Sequence, residues 1–244
     1  MQKEVVIIGD GPSIRNYDLK SINSGVEIIS CGNQIFHESF SSISNNRLHY
    51  IVVEPRLLWP SFLLSKKRDH VKSIKPLVNR MIAKFKEFDT VKYYLHWSNA
   101  PYILGSNNFH LVSNKQLPFT IKLDSISGSF RACVSLANFL GYNKIHLLGF
   151  DSFVLSESPS NRWYEMDGAT HKNETKSIVQ GIVDSYSHIE FNVISEKALV
   201  LTSNKLLKSS LSISYSMEKS NLKDVMSQQD IELFKLTNEY NMEA

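Results

Sequence analysis

The sequence predicts a single α/β domain in which helices cover both faces of a mainly parallel sheet and a further segment forms a lid. Short β-branched runs that are apolar throughout, such as Glu4–Ile8, are typical of strands buried on both faces. Such runs alternate along the chain with segments of helical character, which is the pattern of βα units. The clearest unit joins an apolar helix at 127–140 to the strand Lys144–Leu148. A helix and a strand that are both so apolar belong in the centre of an α/β sandwich.

The other elements follow from the same patterns. Further strands are predicted at 26–30, 48–53, 91–95 and 189–194. Residues 12–22 predict a turn and a short helix, 57–88 a mostly helical stretch, and 170–187 a helix that Thr170 can cap. A loop with short pieces of structure is expected at 96–120 and an irregular segment at 152–170, where Asn, Ser and Pro are frequent. The folded domain is therefore placed at 1–207 with its lid at about 152–170, followed by a helical or flexible tail at 208–244.

Composition excludes several classes of protein. The chain has 244 residues, 42% hydrophobic and 21% charged, which excludes wholesale disorder. A net charge of +3 is too small for a nucleic-acid-binding composition, so no nucleic-acid partner is expected. Cys31 and Cys133 lie in apolar stretches and are predicted to be buried free thiols. Neither a signal-peptide pattern nor a long uncharged apolar run is present, so we expect a cytoplasmic protein.

The first motif that suggests chemistry is a glycine-rich turn after the first strand, Gly9-Asp10-Gly11-Pro12-Ser13. Glycines allow close backbone approach, and N–H groups at the start of a helix can face a phosphate. The turn is neither the dinucleotide fingerprint nor a P-loop, because it lacks the third glycine and a Gly-Lys-Ser/Thr end. By itself the turn is equally compatible with an ordinary tight βα connection.

Three more polar segments follow predicted strands or begin predicted helices. Asn33 and Gln34 follow the second strand, where open α/β sheets bind ligands, although a turn-forming Asn is an equally simple explanation. Ser127, with Gly128, precedes the buried helix and can cap it or hold a carboxylate or phosphate. The segment 164–171 has an aromatic residue and a histidine in a polar loop, which suits a lid. A histidine there can accept a proton near neutral pH.

Several motifs of other enzyme classes are absent from the sequence. No Asp-x-Asp triplet follows a strand, and no His, Cys or Asp group has metal-ligand spacing, so no metal cofactor is expected. Gly-x-Ser-x-Gly is missing too, which argues against an α/β-hydrolase.

Taken in order, these motifs resemble the bacterial sialyltransferases of glycosyltransferase family 42. The family begins with a strand and Gly-Asn-Gly-Pro-Ser, and its next strand ends in Cys-Asn-Gln, where this chain has Cys31-Gly32-Asn33-Gln34. Its central helix opens with Ser-Gly and leads through Leu-Gly-Tyr to a strand and Gly-Ile-Asp. This chain has Ser127-Gly128, Leu140-Gly141-Tyr142 and Gly149-Phe150-Asp151 in the same order. A His-Lys-Asn then opens the next helix, as at His171, so the resemblance covers roughly residues 3–207.

The resemblance implies a Rossmann-like (GT-A-like) domain that uses a CMP-activated nonulosonic acid, without a metal, to modify a glycan such as lipooligosaccharide or capsule. In the implied inverting reaction an acceptor hydroxyl attacks the anomeric carbon, His171 takes its proton, and Tyr164 donates a hydrogen bond to the departing phosphate. The implied substrate-binding residues are Gly9, Asp10, Gly11, Pro12, Ser13, Asn33, Gln34, Glu54, Ser127, Gly128 and Asp151. Peripheral contact with the inner face of the membrane and a homotetramer are further family-derived expectations.

Four departures from the family pattern bear on the donor. Asp10 and Glu54 stand where the family has Asn, Asp124 replaces an Arg, and Phe153 replaces a second phosphate-binding Tyr. The three carboxylates are expected to disfavour an anionic donor unless Arg131 or Arg162 compensates for them. The alternatives are therefore a CMP-Kdo transferase, a relative of flagellin-modification or pterin pyrophosphokinase enzymes, and a catalytically degenerate nucleotide-binding module.

Overall fold

One parallel sheet organises the chain. The computed structural model describes residues 3–44, 47–55, 57–58, 68–102, 108–151, 176–194 and 207–209, with the backbone alone at 68–75, 102, 176–180 and 207–209. The strands are β1 Glu4–Ile8, β2 Glu27–Cys31, β3 Leu48–Val52, β4 Lys92–His96, β5 Phe109–Ser113, β6 Ile121–Lys122, β7 Lys144–Leu148, β8 Glu190–Val193 and β9 Leu207–Ser209. They form a nine-stranded sheet in the order β6-β5-β4-β3-β2-β1-β7-β8-β9.

The predicted mainly parallel sheet is confirmed, since every pairing between described strands is parallel. β1 lies in the middle, and its last residue, Ile8, is level with Ser30 of β2 and Leu148 of β7. Val5 to Ile8 have no exposed surface, because both faces of β1 are covered. The carboxyl ends of these three strands therefore meet at one place on the sheet's edge.

Helices cover both faces, as the sequence predicts. They are α1 Phe40–Ile43, α2 Arg68–Glu87, α3 Ser129–Phe139 and α4 Lys176–Ser185. Alternate residues of β1 point into two separate cores: Val6 and Ile8 pack with α1 and α2, whereas Val5 and Ile7 pack with α3 and α4. In α3 every residue from Ala132 to Ala137 is buried, which explains its apolar sequence.

The segment 96–120, predicted as a loop with short pieces of structure, contains the strand β5. Phe109, His110 and Leu111 are only half-buried, since β5 is covered on one side by the two-residue edge strand β6. Such a strand shows neither a continuous apolar run nor a clean alternation, so periodicity does not reveal it. β9 at Leu207–Ser209 is likewise a strand that the sequence did not indicate.

Helix boundaries differ from the predictions where local backbone intervenes. Residues 12–22 form two short 3₁₀ helices, Pro12–Asn16 and Leu19–Ser21, rather than one helix. Leu57 and Leu58 lie in a turn, and α2 begins only at Arg68 in the described chain. The lid at 152–170, the Thr170 cap and the tail from 210 onwards lie outside the described residues. Among the helices that are described, none is long and apolar enough to cross a membrane.

Candidate functional site

The polar motifs after β1, β2 and β7 lie at the switch point of the sheet, where the connections from β1 and β7 lead in opposite directions. From β1 the chain continues to β2 on one side, whereas from β7 it continues to β8 on the other. The crevice between two such strands is where open α/β sheets bind ligands. The loop after β1, the loop after β2 and the residues after β7 all border this crevice, because their strands are adjacent and end at the same level.

The loop after β1 is fastened to the end of β7. Gly9 N–H donates to Leu148 O at 2.9 Å and Gly11 N–H donates to Gly149 O at 2.6 Å. The buried carboxylate of Asp151 accepts from the Ser13 hydroxyl at 2.9 Å and from Ser13 N–H at 3.2 Å. A Cβ at position 11 would overlap this carboxylate, so the close approach requires glycine. Pro12 begins the 3₁₀ helix at its first position, where no N–H is needed.

These bonds bear on the phosphate interpretation of the first turn. The N–H groups of Gly9, Gly11 and Ser13 each donate to an acceptor within the chain. Ile14 N–H donates back to Gly11 O at 3.3 Å, and Pro12 has no N–H. These four N–H groups are therefore occupied, and their bonds make the turn a rigid wall of the crevice.

Asp10 joins the loops after β1 and β2. Its carboxylate accepts from Asn33 N–H at 3.1 Å and from Gln34 Nε2 at 3.1 Å. Gly32 adopts a φ of +66°, and a Cβ there would overlap the Asp10 carboxylate. The glycine that this chain has between Cys and Asn is thus matched to the aspartate that replaces the family's Asn. Much of the Asp10 charge is consequently balanced by N–H donors inside the protein.

The buried side chain of Gln34 connects the loop after β2 to the loop after β1. It is 1% exposed, and Nε2 also donates to Gly9 O at 2.7 Å. Its Oε1 is buried and has no hydrogen-bond partner among the described atoms. The amide cannot be reversed, because Oε1 would then face two acceptors. Asn33 is half-buried beside it, at the crevice itself.

Aromatic and sulfur groups lie beneath the Asp10 loop. The Tyr50 hydroxyl donates to Gly32 O, and burial raises its pKa well above the ordinary value, with the Asp10 carboxylate adding to the effect. The prediction of buried free thiols is confirmed for Cys31 and Cys133. A hydrogen bond with Cys133, and then burial, raises the pKa of Cys31, so the Cys31 thiol is held protonated.

The loop after β3 depends on a residue that the sequence analysis missed. Asn99 is completely buried, donates to Glu54 O at 3.1 Å and accepts from Leu58 N–H at 3.1 Å. An Asn in a polar segment three residues after the end of β4 was the available signal. The Glu54 side chain is exposed just after the carboxyl end of β3.

Two predictions at the start of α3 need correction. The N-cap is Gly128, with φ +81° and no side-chain capping bond, so Ser127 does not cap the helix. The positive φ takes the chain out of helical geometry one residue after Ser127. Ser127 and Gly128 are exposed, and Ser127 N–H donates to Ser125 Oγ at 3.3 Å.

Asp124 is not beside the crevice, contrary to expectation. Its carboxylate accepts from Asn138 Nδ2 at 3.2 Å and from the Tyr186 hydroxyl at 3.1 Å. Asn138 lies near the end of α3, ten residues after Gly128, which corresponds to roughly 15 Å along the helix. The segment before α3 runs back along the helix, so Asp124 lies at its far end.

The proposed catalytic residues and two further residues near the expected lid cannot be placed. Tyr164, His171, Phe153 and Arg162 lie outside the described residues. Within the described part of the chain, no group of three His, Cys, Asp or Glu side chains is arranged to hold a metal ion.

Comparisons with known proteins give structural neighbours only. No family model matches the chain, and no curated protein matches it. Sialyltransferase CstII from Campylobacter jejuni, in complex with the substrate analogue CMP-3FNeuAc, is similar at 13% identity and a TM-score of 0.45, covering 96% of this chain and 100% of that one. The monofunctional α-2,3-sialyltransferase Cst-I from the same organism is similar at 13% identity and a TM-score of 0.45, covering 99% of this chain and 95% of that one. A complex of CST-II with a trisaccharide acceptor and CMP is similar at 14% identity and a TM-score of 0.46, covering 96% of this chain and 99% of that one.

These neighbours are sialyltransferases, the class that the sequence motifs resemble. Their identities and TM-scores are low, so we take the function from the chain's own residues.

Proposed function

We propose that the chain is a glycosyltransferase of sialyltransferase type, which moves sialic acid or a related nonulosonic acid from a CMP-sugar to a hydroxyl of a cell-surface glycan. One observation supports this most: three of the motifs that resemble the family border a single crevice at the switch point of the sheet. Ser13 and Asp151 are separated by 138 residues in the sequence, and only the fold brings them together. A nucleotide with its sugar fits the place where such sheets bind ligands.

The described residues would shape and orient the donor rather than react with it. Gly9 to Ser13 provide one rigid wall, and Asn33 provides an amide beside it. Because the N–H groups of Gly9, Gly11, Ser13 and Ile14 donate within the chain, the phosphate would need further donors, which gives Tyr164 its proposed role.

In the proposed reaction the acceptor oxygen forms a bond to the anomeric carbon as the bond from that carbon to the CMP phosphate oxygen breaks. The acceptor's proton passes to His171, and CMP leaves with the electron pair. Direct displacement inverts the anomeric centre. The hydrogen bond from Tyr164 would stabilise the departing phosphate, so the proposal includes no metal.

A thermal-shift panel tests the donor class. CMP, CMP-sialic acid, CMP-Kdo, a UDP-sugar and ATP are compared with and without EDTA, and ligands that bind the folded state raise Tm by mass action. We expect shifts with the cytidine nucleotides that EDTA leaves unchanged. The absence of a shift with every cytidine nucleotide overturns the proposal, whereas a larger shift with CMP-Kdo than with CMP-sialic acid changes the sugar.

Two substitutions test the roles of the proposed catalytic residues. His171→Ala is expected to abolish turnover while CMP binding is retained, and Tyr164→Phe to lower kcat by roughly 10²-fold. Full turnover in His171→Ala would remove the base assignment without touching the donor assignment.

A nucleotide-binding module without catalysis is the second candidate, and the exposed carboxylate of Glu54 at the crevice favours it. Calorimetry with CMP, together with an assay for release of CMP from CMP-sialic acid, separates the two. Binding without CMP release at any acceptor concentration would support the module.

A further inference from the structure

A groove of about 540 Å³ lies between α3 and α4. Arg131 of α3 lies on one side, Gly181, Ser185 and Tyr186 on the other, and Asp124 and Ser125 of the preceding segment complete it. This volume is within the range of small-molecule sites, about 300–1,000 Å³. Hydroxyl groups, one cation and one carboxylate therefore border a space large enough for a sugar unit.

On the polar face of α3, the guanidinium of Arg131 does not take part in the hydrogen bonds that its neighbours make. Arg131, Ser135 and Asn138 follow the spacing of one helix face. Ser135 Oγ accepts from Ser125 N–H at 3.1 Å, and Asn138 bonds to Asp124. Arg131, by contrast, has no hydrogen bond or ion pair with any residue in the described ranges. It also lies in the first turn of α3, where the helix dipole adds positive potential, so an anion is favoured there.

On the opposite side of the groove, Gly181 exposes the backbone of α4, and the packing of the fold does not require a glycine there. It lies inside α4, where glycine is less favourable than alanine. Among the described residues, no atom lies within 4 Å of the position that a Cβ would occupy, and the φ of Gly181 is not among the positive ones. The fold therefore does not need glycine here. Close approach of a ligand to the helix backbone would need it.

We propose that this groove binds a carboxylate-bearing saccharide unit of the acceptor glycan, with the carboxylate on Arg131 and the sugar ring against the backbone at Gly181. The identification of the ligand as a glycan rests on the proposed function. Asp124, held by Asn138 and the Tyr186 hydroxyl at the other end, disfavours a second negative charge. A single carboxylate among neutral hydroxyls therefore fits the groove better than a phosphorylated or polyanionic ligand.

Binding is tested with the whole chain and no donor, by ligand-observed NMR titration. The probes are sialyllactose, lactose and free N-acetylneuraminic acid. Sialyllactose is expected to bind about tenfold more tightly than lactose, as a charge-assisted bidentate bond would give. Arg131→Gln should abolish this difference, whereas Arg80→Gln, which removes an exposed positive charge from α2 on the other face, should preserve it.

Gly181→Ala separates a binding role from an empty surface. The added methyl meets no atom, so Tm should rise by a few degrees. Sialyllactose should nevertheless bind several-fold more weakly, because the sugar loses its contact with the backbone. Higher Tm with unchanged sialyllactose affinity overturns the proposal.

Other outcomes also decide it. Equal affinities for sialyllactose and lactose, or an unchanged preference in Arg131→Gln, would reject the site. Free N-acetylneuraminic acid binding as tightly as sialyllactose would reject the acceptor as its source. A parallel CMP titration keeps the two proposals apart: absence of CMP binding refutes the donor assignment, and the saccharide result is read independently.

Discussion

At the carboxyl end of the sheet the carboxylates of Asp10 and Asp151 accept from backbone, amide and hydroxyl groups, whereas at the amino end the carboxylates of Glu4 and Glu27 meet histidines. His146 Nε2 lies 3.1 Å from Glu4 Oε2, and His49 Nε2 lies 3.1 Å from Glu27 Oε2. Both imidazoles are buried in the sheet. The two ends thus satisfy the same kind of group with different donors.

The difference concerns what pH can change. Backbone N–H, amide and hydroxyl donors do not titrate near neutrality, so the crevice should keep its hydrogen bonds over a wide pH range. Burial lowers the pKa of His49 to about 3, and the charges of Lys92 and Lys3 add to this. Burial also lowers the pKa of His146, although the hydrogen bond that His146 donates to the Glu4 carboxylate opposes this effect. Acid should therefore destabilise the fold through the two histidines at the amino end.

The largest effect should come from filling the space between the loops at the carboxyl end. Gly11→Ala places a methyl on the Asp151 carboxylate and within 2.7 Å of Gly149 O, both of which are held in place. We expect the free energy of unfolding to fall by about 3 kcal/mol, measured by urea denaturation. Gly25→Ala is the matched control, because its nearest atom would lie at 3.5 Å and the change should be within about 0.5 kcal/mol. Similar values for both variants would contradict the fastening of this loop to β7.

Removing the Asp10 carboxylate should have the next largest effect. Asp10→Ala leaves Asn33 N–H and Gln34 Nε2 without this acceptor and should cost about 2 kcal/mol of stability. Asp10→Asn keeps one acceptor oxygen and loses the charge, so about 1 kcal/mol is expected. Chemical denaturation of both variants is the measurement. Equal losses would show that the charge does not contribute, and a negligible loss in both would refute the role of Asp10 in joining the two loops.

Acid should act through the amino end. The folded-state pKa of His49 lies below its ordinary value of 6.5, so its contribution is fully present above pH 6.5 and is lost as the pH falls. Below pH 6.5 we expect a loss of up to about 1.4 kcal/mol per pH unit from this group. His49→Gln, which can still donate to Glu27, should flatten this dependence, and His188→Gln, at an exposed position, should not. An unchanged slope in His49→Gln would place the pH sensitivity elsewhere.

The sequence predicts strands and loops better than it predicts partners. Apolar runs identified β1, β2 and β7, and a parallel arrangement then put Gly9 to Ser13, Asn33 and Asp151 at one edge. The pairing of Asp10 with Gly32 was not predictable, because it depends on the register of two strands and on a positive φ.

Asp124 shows that the sequence also does not predict the path of a connecting segment. Its position just ahead of the Ser-Gly pair says nothing about the direction in which the segment crosses α3. Only the bonds to Asn138 and Tyr186 place it at the far end. Periodicity reports which side of an element is buried, and it does not report which distant side chain completes a hydrogen bond.

The smallest expected effect separates the two carboxylates that the sequence alone treats alike. Glu54 is exposed beside the crevice, whereas Asp124 lies roughly 15 Å along α3 from its N-cap. Glu54→Gln should raise the affinity for CMP-sialic acid about two- to fivefold at low salt, since an exposed like charge costs little more than this. Asp124→Asn should leave that affinity unchanged, because water and salt screen a charge beyond the Debye length of about 10 Å. Calorimetry at two salt concentrations measures both, and the Glu54→Gln gain should shrink at the higher one. Equal gains in the two variants would mean that the donor lies nearer to α3 than to the loops after β1 and β2, and the crevice at the switch point would then no longer be the donor site.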